Sequence, residues 1–151
     1  HFCIDNDGVI FQFLDPKDIG WHAGSGNNND TIGIDLSNAY YLKYNSLYQR
    51  KGFKERPILT ESKVHGVRLK PHLGYYSIQI EAYKRLVSLL CENYNIPLEV
   101  PQNVSGQLLT QVYPPAADGQ FNGVVCHYHL TRNKIDCAGL DIKKLLEEVE
   151  E

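Results

Sequence analysis

The segment "SIQIEAYKRLVSLLCENYNI" (77–96) sets the terms for the rest of the chain. Ile78, Ala82, Leu86, Leu89, Leu90 and Tyr94 recur at helical spacing, with Glu81, Lys84, Arg85 and Glu92 largely opposite. That spacing predicts an amphipathic helix whose apolar stripe some other element must cover. Pro97 ends it, because proline lacks the amide hydrogen that a continuing helix needs.

The flanking sequence supplies the cover. "HFCIDNDGVIFQFL" (1–14) predicts a β-hairpin, with apolar and aromatic residues on both sides of Asp5-Asn6-Asp7-Gly8 and Asp-Gly as a favoured tight-turn pair. "TIGIDL" (31–36) reads as a short buried strand, and Val124–Cys126 as another. A last helix, Asp141 to Glu150, puts Ile142, Leu145, Leu146 and Val149 on one face. Strands alternating with helices predict an α/β fold, a mixed central β-sheet flanked by helices. A chain of 151 residues fits one domain, 1–151, long enough to bury a core without disulfide or metal staples.

Two stretches fit no single element and read as insertions. Residues 37–76 are rich in Tyr, Lys and Arg, interrupted by Pro57 and Pro71, with one strand expected near Val64–Leu69. Residues 98–122 are loop-like, with Pro101, Pro114 and Pro115. Trp21 to Gly24 and the Asn-rich run after it also read as loop.

Charge excludes one class of partner. At a net charge of −3 the chain lacks the basic excess of an electrostatic nucleic-acid binder. No apolar run reaches the roughly 18 residues of a membrane-spanning helix. Four cysteines, Cys3, Cys91, Cys126 and Cys137, are irregularly spaced. Cys3 and Cys91 lie in apolar patterns and are expected as buried free thiols, so no disulfide framework is predicted.

The densest chemistry is in "GVVCHYHLTRNKIDCAG" (123–139). Cys126, His127, His129 and Cys137 are all of a type that binds zinc. Four protein ligands would make a closed structural site, and three plus water an open catalytic one. If this segment is strand-like, residues 126 and 127 point to opposite faces while 127 and 129 share one, which favours the open site. Spacing alone also allows a metal-free arrangement, with the cysteines buried and the histidines on the surface.

Read in order, "HFCIDNDGVIFQF", "WHAG", "TIGIDL", "LCENYNIP" and "HYHLTRNKIDCAG" resemble the zinc-dependent N-acetylmuramoyl-L-alanine amidases of type 2. That group includes phage lysozyme amidases and peptidoglycan-recognition proteins. The resemblance covers about three-quarters of the core segments and leaves out 37–76 and 98–122. It implies a mixed sheet with helices packed on it and a zinc site at the mouth of a groove. His127 and Cys137 match the last two ligands, with Cys where members of this spacing carry Asp. The first ligand lies upstream of the family's equivalent of "HFCID". The family's N-terminal strand and helix are therefore expected beyond the sequence given, which opens at His1 inside an alternating run.

The resemblance also implies a reaction and further residues. Zinc would activate a water to cut the amide between N-acetylmuramic acid and L-alanine of the stem peptide. Asp35 matches a position usually held by Glu and would carry the proton. The family's Lys or Thr two residues before the last ligand is Ile135 here, so Lys134 is the candidate oxyanion stabiliser. Ala138 stands where the family usually has Pro. Trp21 and His22 match the segment beside the substrate groove. The expected partner is peptidoglycan or a muropeptide, with action at the cell wall; the Tyr-rich insertion is either packing or a protein-binding surface. Two other classes stay open: a non-catalytic peptidoglycan-recognition module, and a structural-zinc domain that adds Cys126 and His129 as ligands.

Overall fold

The computed structural model describes residues 1–24 and 26–150, the side chain of Glu150 excepted. Among the described residues seven short strands occur in chain order: β1 (Phe2–Ile4), β2 (Ile10–Gln12), β3 (Ile34–Leu36), β4 (Ile58–Leu59), β5 (Lys63–Val64), β6 (Val67–Arg68) and β7 (His72–Leu73). The helices are α1 (Asn45–Arg50), α2 (Ser77–Tyr94), α3 (Pro114–Ala117), α4 (His127–Leu130) and α5 (Ile142–Glu150).

The main sheet has the order β2-β1-β3 and is mixed. β1 runs antiparallel to β2, with Cys3 opposite Phe11, and parallel to β3, with Cys3 opposite Asp35. The expected hairpin is present: Gly8 takes φ +81°, a conformation glycine adopts without a Cβ penalty, and its amide donates to the Asp5 carbonyl at 2.9 Å. Because side chains alternate along a strand, Phe2, Ile4, Ile34 and Leu36 share one face and Cys3, Phe11 and Asp35 the other. The first face meets α2, joining the cluster of Tyr83, Leu86, Val87 and Leu90. Each large apolar side chain fully buried there contributes roughly 1.5–3 kcal/mol. α5 packs against α2 and buries Ile142, Leu145 and Leu146 as expected.

α2 is rotated from the stripe expected of it. Its buried residues are Gln79, Tyr83, Leu86, Val87, Leu90 and Cys91, while Ile78 and Leu89 are exposed. The cause is polar. Gln79 is fully buried because its amide donates to the Ser37 carbonyl at 2.9 Å and its oxygen accepts from Arg56 at 3.1 Å. An apolar pattern cannot reveal a glutamine that faces inward. The helix ends at Tyr94, with Asn95 left-handed at φ +54°, two residues ahead of Pro97.

Arg56, from the first insertion, is the joint of the fold. It is 2% exposed, and its guanidinium lies 4.4 Å from the ring centres of both Tyr48 and Tyr76. It donates to the Ser37 carbonyl at 2.7 Å, the Gly74 carbonyl at 3.0 Å, Gln79 Oε1 and Asn6 Oδ1. Two of the insertion's tyrosines, Tyr48 and Tyr76, are therefore engaged in packing on Arg56. The strand expected near Val64–Leu69 is a small hairpin, β5–β6.

Val124–Cys126 is not a strand. Val124 donates to the Glu99 carbonyl at 2.8 Å, and Cys126 caps α4. The strand geometry expected for residues 126–129 is thus replaced by one helical turn. Residues two apart on a helix diverge by about 200°, so His127 and His129 part company: His127 is about one-third exposed and His129 fully buried.

Candidate active site

His127 stands at the start of α4, and its Nδ1 meets Oδ2 of Asp136 on the returning loop. The hydrogen bond to Asp136 raises the His127 pKa above its ordinary value, with the Asp136 charge and the His22 carbonyl adding to it. Burial and the Lys134 charge oppose the rise. The same hydrogen bond lowers the Asp136 carboxyl. Asp136 is the residue that sequence reasoning missed; its signal was a carboxylate directly beside the candidate ligand Cys137.

His22 is a neighbour of His127, since its carbonyl helps to raise the pKa of that ring. The Asn-rich run, expected only as loop, does the positioning. The buried Asn28 accepts from the amides of His22 and Ala23, at 3.0 and 2.8 Å. Nε2 of His22 lies 3.1 Å from the Thr31 carbonyl, a contact in which the ring donates. Its flank is closed by Gly33, where a Cβ would fall 2.6 Å from Cγ of the ring, so only glycine leaves room. Burial lowers the His22 pKa, and the His127 charge lowers it further. At neutral pH His22 is an uncharged imidazole. His1 stacks edge-on against it at 5.4 Å between ring centres, with its Nδ1 accepting from the Gly33 amide.

Trp21 is 89% exposed. An indole presented to solvent next to His22 is free to stack on a ligand. Lys134 is exposed, close enough to bear on the charges of both His127 and Asp136. Ile135 beside it packs against the core, which keeps Lys134 outward. Asp35 sits at the centre of β3, exposed, on the sheet face away from α2.

Cys137 is half-buried, and its Sγ lies 3.2 Å from Sγ of Cys126. His129 is closed to any metal, because both ring nitrogens are taken by backbone. Nδ1 accepts from the Cys126 amide at 2.9 Å, and Nε2 donates to the Leu109 carbonyl at 2.6 Å. Burial holds it neutral, with a pKa of about 4. That removes one of the four ligands a closed structural zinc site would need. Among the described residues no three His, Cys, Asp or Glu side chains converge on one point. The donors at the site, an imidazole, a thiol and a carboxylate, nevertheless suit zinc in kind.

A depression of about 470 Å³ lies beyond Tyr128, walled by Ser62, Lys63, Leu108, Leu140 and Lys144, and His127 does not line it.

A mixed sheet backed by an amphipathic helix, with a carboxylate-anchored histidine and a thiol on one loop, is the frame of a small hydrolase domain. The chain belongs to the N-acetylmuramoyl-L-alanine amidase family, whose model matches residues 1–139. Neither curated proteins nor solved structures contain a match. Family membership makes the chain an amidase that acts on peptidoglycan.

Proposed function

We propose that the chain hydrolyses the amide joining N-acetylmuramic acid to L-alanine, using a zinc ion held by His127 and Cys137. The observation that supports this most is the anchoring of His127 by Asp136. A carboxylate on one imidazole nitrogen fixes the tautomer and the orientation of the ring, the arrangement typical of a metal-binding histidine. When bound, zinc supplies Lewis acidity and lowers the pKa of a coordinated water toward neutrality.

The remaining tasks fall to the chain's own groups. Trp21 offers its exposed indole to a sugar or peptide face. His22, neutral and fixed by Thr31 and Gly33, hydrogen-bonds the muramyl–peptide junction. Lys134 brings a positive charge to the carbonyl oxygen as it becomes an oxyanion. Asp35 takes the proton of the attacking water and returns it to the departing L-alanine nitrogen.

Digestion of purified peptidoglycan, with mass analysis of the products, tests the reading. Free stem peptides with an unmodified L-alanine amino terminus are expected, with release stopped by a chelator and restored by zinc. Cleavage at another bond, or release indifferent to chelation, overturns it.

A further inference from the structure

The Cys137 sulfur has a second claimant. Cys126 Sγ lies 3.2 Å from it, in a chain whose four cysteines are all free. A disulfide needs about 2.05 Å between sulfurs, so side-chain rotation of about 1 Å closes the gap. Both thiols are held in place. Cys126 caps α4, and its amide donates to the immobile ring of His129. Cys137 lies on the loop whose Asp136 carbonyl accepts from the Tyr128 amide at 3.3 Å. Cys126 is 5% exposed, and Cys137, packed against the edge of the core, is the less buried residue of the two.

We propose that Cys126 and Cys137 form a reversible disulfide that withdraws Cys137 from metal ligation, making the site sensitive to peroxides. The proposal rests on Cys137 being a zinc ligand. In the first step the Cys137 thiolate attacks one peroxide oxygen and the O–O bond breaks. Hydroxide leaves, takes up the proton the thiol released, and departs as water. Cys137 is then a sulfenic acid. The Cys126 thiolate attacks that sulfur, the S–O bond breaks, and the second hydroxide leaves as water with the Cys126 proton. Two thiols and one hydrogen peroxide become one disulfide and two waters, the sulfurs losing two electrons and the peroxide gaining them. A disulfide sulfur is no longer a thiolate, so it ceases to be a zinc ligand. A dithiol reductant reverses the change.

The test uses the full chain, reduced and then exposed to hydrogen peroxide with and without added zinc. Remaining thiols are alkylated under denaturing conditions and the peptides mapped. A cross-link between Cys126 and Cys137 is expected, with Cys3 and Cys91 alkylated and the cross-link slower to form when zinc is present. Zinc affinity, read by competition with a chromophoric chelator, is expected to fall by about tenfold or more and to recover with dithiothreitol. No cross-link, a different pairing, or a cross-linked chain with undiminished zinc affinity overturns the proposal. Reduced Cys137→Ser separates the two readings. Full zinc affinity in that variant removes Cys137 as a ligand, and with it both the zinc site as assigned and the withdrawal of a ligand. Lost affinity there, with no cross-link in the wild-type chain, leaves the zinc site standing and refutes the disulfide alone.

Discussion

His129 should make the fold acid-sensitive in a defined window. Its ring is fully buried and its pKa is about 4, against an ordinary 6.5 in the unfolded chain. The unfolded state therefore binds a proton that the folded state refuses, and stability falls as pH drops from 6.5 toward 4. That gap, at about 1.4 kcal/mol per pH step, is roughly 3 kcal/mol. Above 6.5 both states are neutral and the residue contributes no pH dependence. The perturbation is His129→Asn, whose short amide can still accept from the Cys126 amide but cannot reach the Leu109 carbonyl. At pH 7 the variant should be about 1–3 kcal/mol less stable, for the lost bond to a buried acceptor. The assay is urea unfolding at a series of pH values. His127, whose folded pKa is raised, gains its stability as pH falls toward 6.5 and holds it unchanged below, while His22, with its lowered pKa, loses stability below 6.5; both are common to the two proteins and cancel in the comparison. The difference between the two profiles isolates His129: the wild-type advantage should fall by roughly 3 kcal/mol between pH 7 and 4, so that it vanishes or reverses at the acid end. Parallel profiles would refute the assignment of a neutral, locked imidazole.

The remaining expectations concern the site and its supports. Gly33→Ala places a methyl against the His22 ring, so unfolding should become about 1–3 kcal/mol easier and peptidoglycan release should fall, both read on one preparation. Asp136→Asn weakens the anchor on His127 without removing it, and zinc affinity should drop by about 10- to 100-fold; unchanged affinity would deny Asp136 an orienting role. Arg56→Ala strips partners from the Ser37 and Gly74 carbonyls and from Gln79 at once. A loss of about 3 kcal/mol or more is expected by denaturant unfolding, and Arg56→Lys should recover only part of it, since an ammonium cannot reach all the acceptors that the planar guanidinium fork serves.

Local patterns made the scaffold legible. The Asp-Gly turn, the "TIGIDL" strand, the existence of α2 and the face of α5 all follow from spacing and turn chemistry that act within a few residues. What escaped depends on distant partners. The rotation of α2 is set by Gln79 meeting Ser37 and Arg56, respectively 42 and 23 residues away. The segment expected as strand at 124–126 failed for the same reason, because a short apolar run does not distinguish a strand from a helix cap. That error carried into the site. Treating 126–129 as extended put His127 and His129 on one face, whereas a single helical turn sends one to the surface and locks the other inside. His22 and Trp21 came from family likeness. The structure adds that His22 is a neighbour of His127, held by an asparagine-rich loop whose buried amides composition alone does not reveal.

Arg56 also bears on how this domain can be re-engineered. A single guanidinium bolts the first hairpin, the end of β3, the long helix and the 37–76 segment together, so that segment is no detachable cassette with clean seams. Anyone trimming the chain to a minimal catalytic unit, or splicing in the matching stretch from a relative, must transplant the arginine with both flanking tyrosines, or rebuild the socket they leave behind.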